Sequence, residues 1–181
     1  MNILEQLNTD HDHVTQLLAI LESQLDHVHR AESTDFELLR DVMHYMTHYP
    51  DRVHHPMENL VIERLIERDP SIRDTAIPIV QEHRVLFEKG ETFLEMIGRV
   101  ADGEMVLRED IEAKGREYVE FLRTHMKKED DELFPLAEKL LTKEDLQQVA
   151  DTLERRADPV FGAIVETQYE ELYAFIQQNS G

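Results

Sequence analysis

"YPDRVHHPMENL" spans Tyr49 to Leu60, and the fold turns on whether it is helix or loop. Pro50 and Pro56 argue for a break, because each lacks the amide that a helix interior requires. The flanks argue the other way. Leu39, Val42 or Met43, Met46, Pro50, Val53 or His54, Met57 or Glu58, Val61 and Leu65 recur at gaps of three and four, the period of one helix face. Read as helix, residues 34–68 form one element. His54 and Glu58, four apart, then lie one above the other on its inward side, where leucine would pack better. The prolines imply that the helix bends or opens beside this pair, and Pro56 removes the amide that would reach the carbonyl of Arg52.

The same period recurs along the chain. Helix one, about 2–29, carries Leu4, Leu7, His11, Val14, Leu18, Leu21, Leu25 and Val28, an apolar seam with His11 as its one polar member. Helix three, about 71–101, runs Ile72, Ala76, Ile79 or Val80, His83, Phe87, Gly90, Leu94 and Ile97. Helix four, about 107–139, runs Ile111, Gly115, Tyr118, Leu122, His125, Glu129, Glu132 or Leu133, and Leu136. Caps mark the starts: Asn2 with Glu5, Thr34 with Glu37, Ser71 with Asp74, and Thr142 with Asp145. The connections "RAEST", "RDPS" and "ADGEM" are short, so successive helices are expected to run antiparallel. The expected fold is all-α: an up-down-up-down four-helix bundle over residues 1–140, with a C-terminal helical extension over 141–181. Pro159 breaks that extension, and its apolar residues need cover against the bundle or in a homodimer.

Each helix of this bundle points a histidine inward, and two add a glutamate four residues on. Counting residues from the helix ends places His11, His54, Glu58, His83, His125 and Glu129 within about one turn of a common level. A lone histidine in a seam is ordinary core. Four of them with two carboxylates, buried without a compensating cation, would cost several kcal/mol each. Six protein donors exceed what one ion takes with open positions, whereas two ions bridged by the two carboxylates leave vacancies for a small molecule. Mixed imidazole and carboxylate ligation suits iron and manganese and admits zinc.

Neighbouring candidates are set aside on geometry. His13 falls about 200° around its helix from His11, and Asp130 about 100° off the seam that Glu129 continues. His55 lacks the carboxylate four residues on that His54 has. His44, His48 and His55 are expected to face solvent or a partner, Glu82 to be a surface carboxylate, and Tyr118 to pack in the core.

Composition narrows the function. Thirty-nine acidic against nineteen basic residues give a formal charge of -20, which repels phosphate backbones and anionic lipid surfaces, so no nucleic acid or membrane partner is expected. The absence of cysteine removes disulfides, thiolate metal sites and cysteine nucleophiles together. The opening "MNILEQLNTD" is amphipathic and lacks the pattern of an export signal, which makes the cytoplasm the expected location.

The ordered set "TDHDHV", "HHPME", "QEHR" and "HMKKEDDELFP" resembles the hemerythrin-like proteins of the histidine–histidine–glutamate cation-binding type, over roughly residues 1–140. The resemblance implies a non-haem di-iron centre bridged by the two glutamates and an oxo or hydroxo group. It also implies a small ligand, such as dioxygen, nitric oxide or peroxide. Oxygen-carrying members have a fifth histidine where this chain has Ile79, which favours sensing, reaction or iron exchange over carriage. Binding or sensing is the leading expectation. The rivals are an iron-handling or stress-response enzyme, reducing nitric oxide or peroxide or supplying iron for repair, and a metal-stabilised interaction module.

Overall fold

The computed structural model describes residues 2–152 and 157–179. These are helical with no strand among them, and their longest elements are α1 (Ile3–Arg30), α2 (Phe36–Tyr49), α3 (His55–Arg68), α4 (Arg73–Ala101) and α5 (Arg108–Lys128). Three shorter helices follow: α6 (Phe134–Leu140), α7 (Lys143–Thr152) and α8 (Glu170–Asn179). Among the described residues no helix is long and apolar enough to cross a membrane.

Local chemistry explains the ends. Asn2 accepts from the amides of Leu4 and Glu5, while Glu5 accepts from the amide of Asn2, which starts α1 with a reciprocal cap. Thr142 and Asp145 close the same kind of box before α7. Two expected caps move. Asp35, not Thr34, caps α2, and Asp69 caps the 3-10 turn Pro70–Ile72 that leads into α4. In each place an aspartate one or two residues from the expected cap offers the acceptor.

The expected second and fourth helices are each interrupted by a five-residue π-helical turn. Pro50–His54 joins α2 to α3, with the His55 amide bonding back five residues to the Pro50 carbonyl. Glu129–Leu133 joins α5 to α6, with the Phe134 amide bonding to the carbonyl of Glu129. In both cases a proline, Pro56 or Pro135, stands two residues past the turn. A proline ring in a regular helix meets the carbonyl four residues back, and a widened turn moves that carbonyl out of the way. Pro78 lies within α4 without such a turn, so proline alone does not produce one.

The core is divided. One apolar cluster holds Val14 to Val28 of α1, most of α2, Leu86, Phe93 and Ile97 of α4, and Ile111 to Met126 of α5. The other holds Ile3, Leu4 and Leu7 of α1, Met57 to Ile66 of α3, Ala76 and Ile79 of α4, and Leu133, Phe134 and Ala137. Each chain of helices passes from one cluster to the other at its histidine, so a polar layer crosses the molecule where a continuous core would otherwise run. Burying a Leu, Ile or Val side chain stabilises by about 1.5–3 kcal/mol, and the fold forgoes that gain at this layer.

The tail packs on the same body. Val160, Tyr169, Leu172 and Ile176 join the first cluster, and Asp158 accepts from the Tyr45 hydroxyl at 2.9 Å. Arg68 holds Asp145 of α7 through two hydrogen bonds, at 3.0 and 2.7 Å. Ile164 stays 81% exposed.

Candidate metal centre

Each helix that crosses the polar layer brings its donor there for a simple reason: the histidine replaces a leucine in an apolar seam, so packing of the seam drives it inward. His11, His54, His83 and His125 are buried, and Glu58 and Glu129 are completely so. The structure therefore brings together all six residues singled out in the sequence.

Their mutual geometry is specific. Glu58 Oε1 lies 3.0 Å from His54 Nε2 and 3.6 Å from His11 Nε2, while its Oε2 lies 3.3 Å from His83 Nε2. Glu129 Oε1 lies 3.4 Å from His83 Nε2 and 3.2 Å from His125 Nε2, while its Oε2 lies 3.6 Å from His11 Nε2. Each carboxylate thus turns one oxygen toward the His11 and His54 side and the other toward the His83 side. Among these atoms His11 Nε2, His125 Nε2, both oxygens of Glu58 and Oε2 of Glu129 are buried with no hydrogen-bond partner. Native proteins leave few such atoms, and each calls for an explanation. Imidazole nitrogens and carboxylate oxygens converging at this range are a donor set that fits hard or borderline divalent cations.

The outer face of the histidines is equally ordered. Nδ1 of His11 lies 2.8 Å from Asp130 Oδ1, Nδ1 of His54 lies 3.1 Å from Asp10 Oδ2, and Nδ1 of His125 lies 3.1 Å from Glu82 Oε2. An ionised carboxylate only accepts, so in each case Nδ1 carries the hydrogen and Nε2 is the inward nitrogen. This is the outer support that metal-ligating histidines ordinarily have. Residues 2–137 match the sequence profile of the hemerythrin HHE cation-binding domain. The chain belongs to the hemerythrin HHE family. No curated protein and no solved structure matches it.

In this hemerythrin HHE chain the buried imidazoles and carboxylates hold one another charged. Burial alone would push His11 and His83 down, yet the surrounding carboxylates carry both up to about 9: Asp130 and Glu58 for His11, Glu129 and Glu58 for His83. His54 is likewise raised against burial, by Glu58 and Asp10. Burial would raise Glu58, but His54, His11 and His83 hold it well below the usual carboxylate range. Glu129 is lowered too, against burial and the charge of Glu58, by His125 and His83.

Several residues depart from the sequence reading. Glu82 is no plain surface carboxylate; it bridges His125 and the Lys128 ammonium. Asp130, set aside as an inward donor, instead stands behind His11, and Asp10 stands behind His54. His44 and His48 stack on each other at 3.9 Å, and His44 bonds the Tyr169 hydroxyl of the tail. His55 faces neither solvent nor a partner: it is buried and stacked on His83, with ring centroids 4.2 Å apart. Burial lowers it to about 4, with Asp51 opposing. Apart from His44 with His48 and Asp51 with His55, each four residues apart in one segment, these pairings join residues of different helices, and no pattern within one segment reveals them.

A cavity of about 30 Å³ adjoins the donors, lined by the apolar side chains of Val14, Met46, Leu86, Phe87, Leu122 and Tyr118 and by His11, His54, His125 and Glu129 of the six, though not by His83 or Glu58. A single water needs roughly 10–15 Å³ by the same measure. The space therefore suits a molecule of two or three heavy atoms. A further group, Asp10, His13 and Asp158, also lies within ligand range. Asp158 is already engaged there, accepting from the Val160 and Phe161 amides and from Tyr45, which makes it a fastening for the tail.

Proposed function

We propose that residues 1–140 form an up-down-up-down four-helix bundle holding two iron ions through His11, His54, Glu58, His83, His125 and Glu129, with residues 141–181 a helical extension packed on it. The order in which successive helices cross the two apolar clusters supports the alternating direction. The split of each glutamate's two oxygens between the two sides of the layer is the observation that carries the dinuclear reading. His11 and His54 would hold one ion and His83 and His125 the other, with Glu58 and Glu129 between them. Manganese or zinc would satisfy the same donors. Bound iron would supply redox chemistry and affinity for diatomic or peroxidic molecules.

The chain's own residues then set what reaches the centre. The small, mostly apolar cavity suits dioxygen, nitric oxide or peroxide, and Asp10, Glu82 and Asp130 fix which imidazole nitrogen faces inward. The protein acts in this reading as a cytoplasmic binder or sensor of such a ligand, with no nucleic acid or membrane partner. The tail's packing on the bundle makes a homodimer unnecessary for covering it. The test is the absorption spectrum of the anaerobic iron(II)-loaded protein on exposure to dioxygen and to nitric oxide. Reversible bands without turnover are expected. Steady consumption of peroxide or nitric oxide would move the protein to the enzyme class, and an unresponsive spectrum would overturn the reading.

A further inference from the structure

His13, which turns away from the centre, and Asp158, which fastens the tail, meet in a second polar cluster behind His54. Asp10 and His13 stand three residues apart on α1 and so share a face of it. Asp158 reaches that face from the tail, and its local bonds set its direction. Oδ1 accepts from the Val160 and Phe161 amides, both at 2.8 Å, which leaves Oδ2 turned to Tyr45 of α2 and His13 of α1.

One donor atom from each of Asp10, His13 and Asp158 lies within 4.8 Å of those of the other two. His13 Nδ1 stands 3.5 Å from Asp158 Oδ2, beyond the roughly 2.7–3.2 Å of a hydrogen bond, and is buried with no hydrogen-bond partner. Donors held about 2.0–2.2 Å from one ion stand roughly 3–4 Å from each other, so this spacing is that of ligands. The ring of His13 lies flat on Phe161, with centroids 3.9 Å apart and a tilt of 8°. Phe161 covers only a face of the ring and leaves the in-plane lone pair of Nδ1 free.

Both acids keep capacity for a cation. A carboxylate offers about four lone-pair sites. Asp158 gives Oδ1 to the two amides and one site of Oδ2 to the Tyr45 hydroxyl, and the second site of Oδ2 remains. Asp10 accepts from the Gln6 side-chain amide on Oδ1 and from His54 Nδ1 on Oδ2, and each oxygen keeps a site. The two carboxyls are only 2% and 9% exposed, and among the described residues no lysine or arginine pairs with either. Burial would raise Asp158, yet His13, the two amides and Tyr45 hold it below the ordinary carboxylate value. Two buried acids at this range repel each other unless positive charge stands between them.

We infer that Asp10, His13 and Asp158 hold a third divalent cation, outside the two-ion centre, which clamps the tail to α1. Two carboxylate oxygens and one imidazole nitrogen suit zinc or manganese. The site uses none of the six donors of the centre and stands whether or not they are filled. His13 is 20% exposed, so this ion exchanges with solvent more readily than those of the buried centre and is lost on gel filtration. Binding of the ion and docking of the tail are linked, because the ion holds only the docked form.

His13→Phe keeps a flat ring on Phe161 and removes the nitrogen. The full chain is dialysed to equilibrium against zinc(II) and its metal counted, and hydrogen exchange is followed over residues 158–176. Wild type is expected to take up one zinc more than His13→Phe. With zinc at ten times its dissociation constant, tail amides of wild type should exchange about tenfold more slowly than without zinc, and those of His13→Phe at an unchanged rate. Should His13→Phe fold poorly, Asp158→Asn, which keeps an oxygen for the two amides, takes its place with the same expectations. Equal zinc content in wild type and variant, or tail exchange that ignores zinc, overturns the clamp. A single zinc in wild type that disappears in His13→Phe upholds the clamp and overturns the two-ion reading of the centre.

Discussion

The helical segments that build the polar layer are of two kinds. α1 and α4 cross it as unbroken helices and give one histidine each, His11 and His83. The other two crossings are broken by π-helical turns, each followed by proline, and give a histidine and a glutamate apiece. Each wide turn also places an aspartate just after its first residue: Asp51 behind His55, and Asp130 behind His11. A regular helix can present one polar group in an apolar seam and continue. To present two donors at one level and still support a neighbouring histidine from behind, the chain gives up regularity, and the prolines hold it in that state.

The largest effect is expected where the broken crossings deliver their carboxylates. Glu58 touches three imidazoles, so Glu58→Ala should reduce bound iron from two ions to one or none, read by metal analysis after gel filtration. The same substitution of Glu67, an exposed partner of Arg64, should leave metal content unchanged. Next in size is the support behind the histidines. Asp130→Asn is expected to weaken metal binding roughly 10–100-fold without loss of helix content, measured by chelator competition. An unchanged affinity would mean that Asp130 does not support His11 as a ligand.

Pro56→Ala lifts the steric reason for the first wide turn and is expected to lower iron affinity several-fold and shift the iron absorption bands. Full metal content with an identical spectrum would separate the turn from the site. How much of this was legible in sequence follows the same division. The unbroken helices could be read outright, because seam spacing alone places His11 and His83 inward. The broken crossings were legible for His54, Glu58, His125 and Glu129, whose spacing of four survives. The change of phase at the turns was not, and with it went His55, Asp51 and the part that Asp130 plays. A hydrogen bond five residues back has no residue signature beyond the proline, and Pro78 shows that proline is not sufficient. Glu82 and Asp10 went unread for another reason: their partners lie on other helices, and only packing brings them together.

Acidity sharpens the comparison more gently. In the metal-free chain His11 and His83 stand up at about 9, above the ordinary 6.5, so their contribution to stability is full below about pH 6.5 and is lost as pH rises through 9. Glu58 and Glu129, held below 4.5, contribute stability present above that value and lost as pH falls. The melting temperature of chelator-treated protein should therefore decline from pH 6.5 to 9, while iron-loaded protein, its imidazoles already deprotonated, holds steady. Iron uptake in that window should release protons. Equal pH profiles for the two forms would show that the imidazoles are not the groups that change state.

The smallest effect on the site belongs to a contact away from it. A Cβ on Gly115 would meet Leu25 at 2.5 Å and Phe93 at 2.7 Å, so Gly115→Ala should destabilise by about 1–3 kcal/mol in a denaturant titration. Metal content should be unaltered, since α5 reaches the layer a few turns later. Lost iron in that variant would mean that the apolar clusters and the polar layer are not separable.

Anaerobic loading of the full chain with iron(II), followed by gel filtration, elemental analysis and thermal unfolding with and without chelator, reaches the heart of the matter. Two ions per chain and a melting temperature that falls when they are removed are expected of buried imidazoles and carboxylates gathered around cations. A chain that emerges with no bound cation, and unfolds at the same temperature either way, would contradict it.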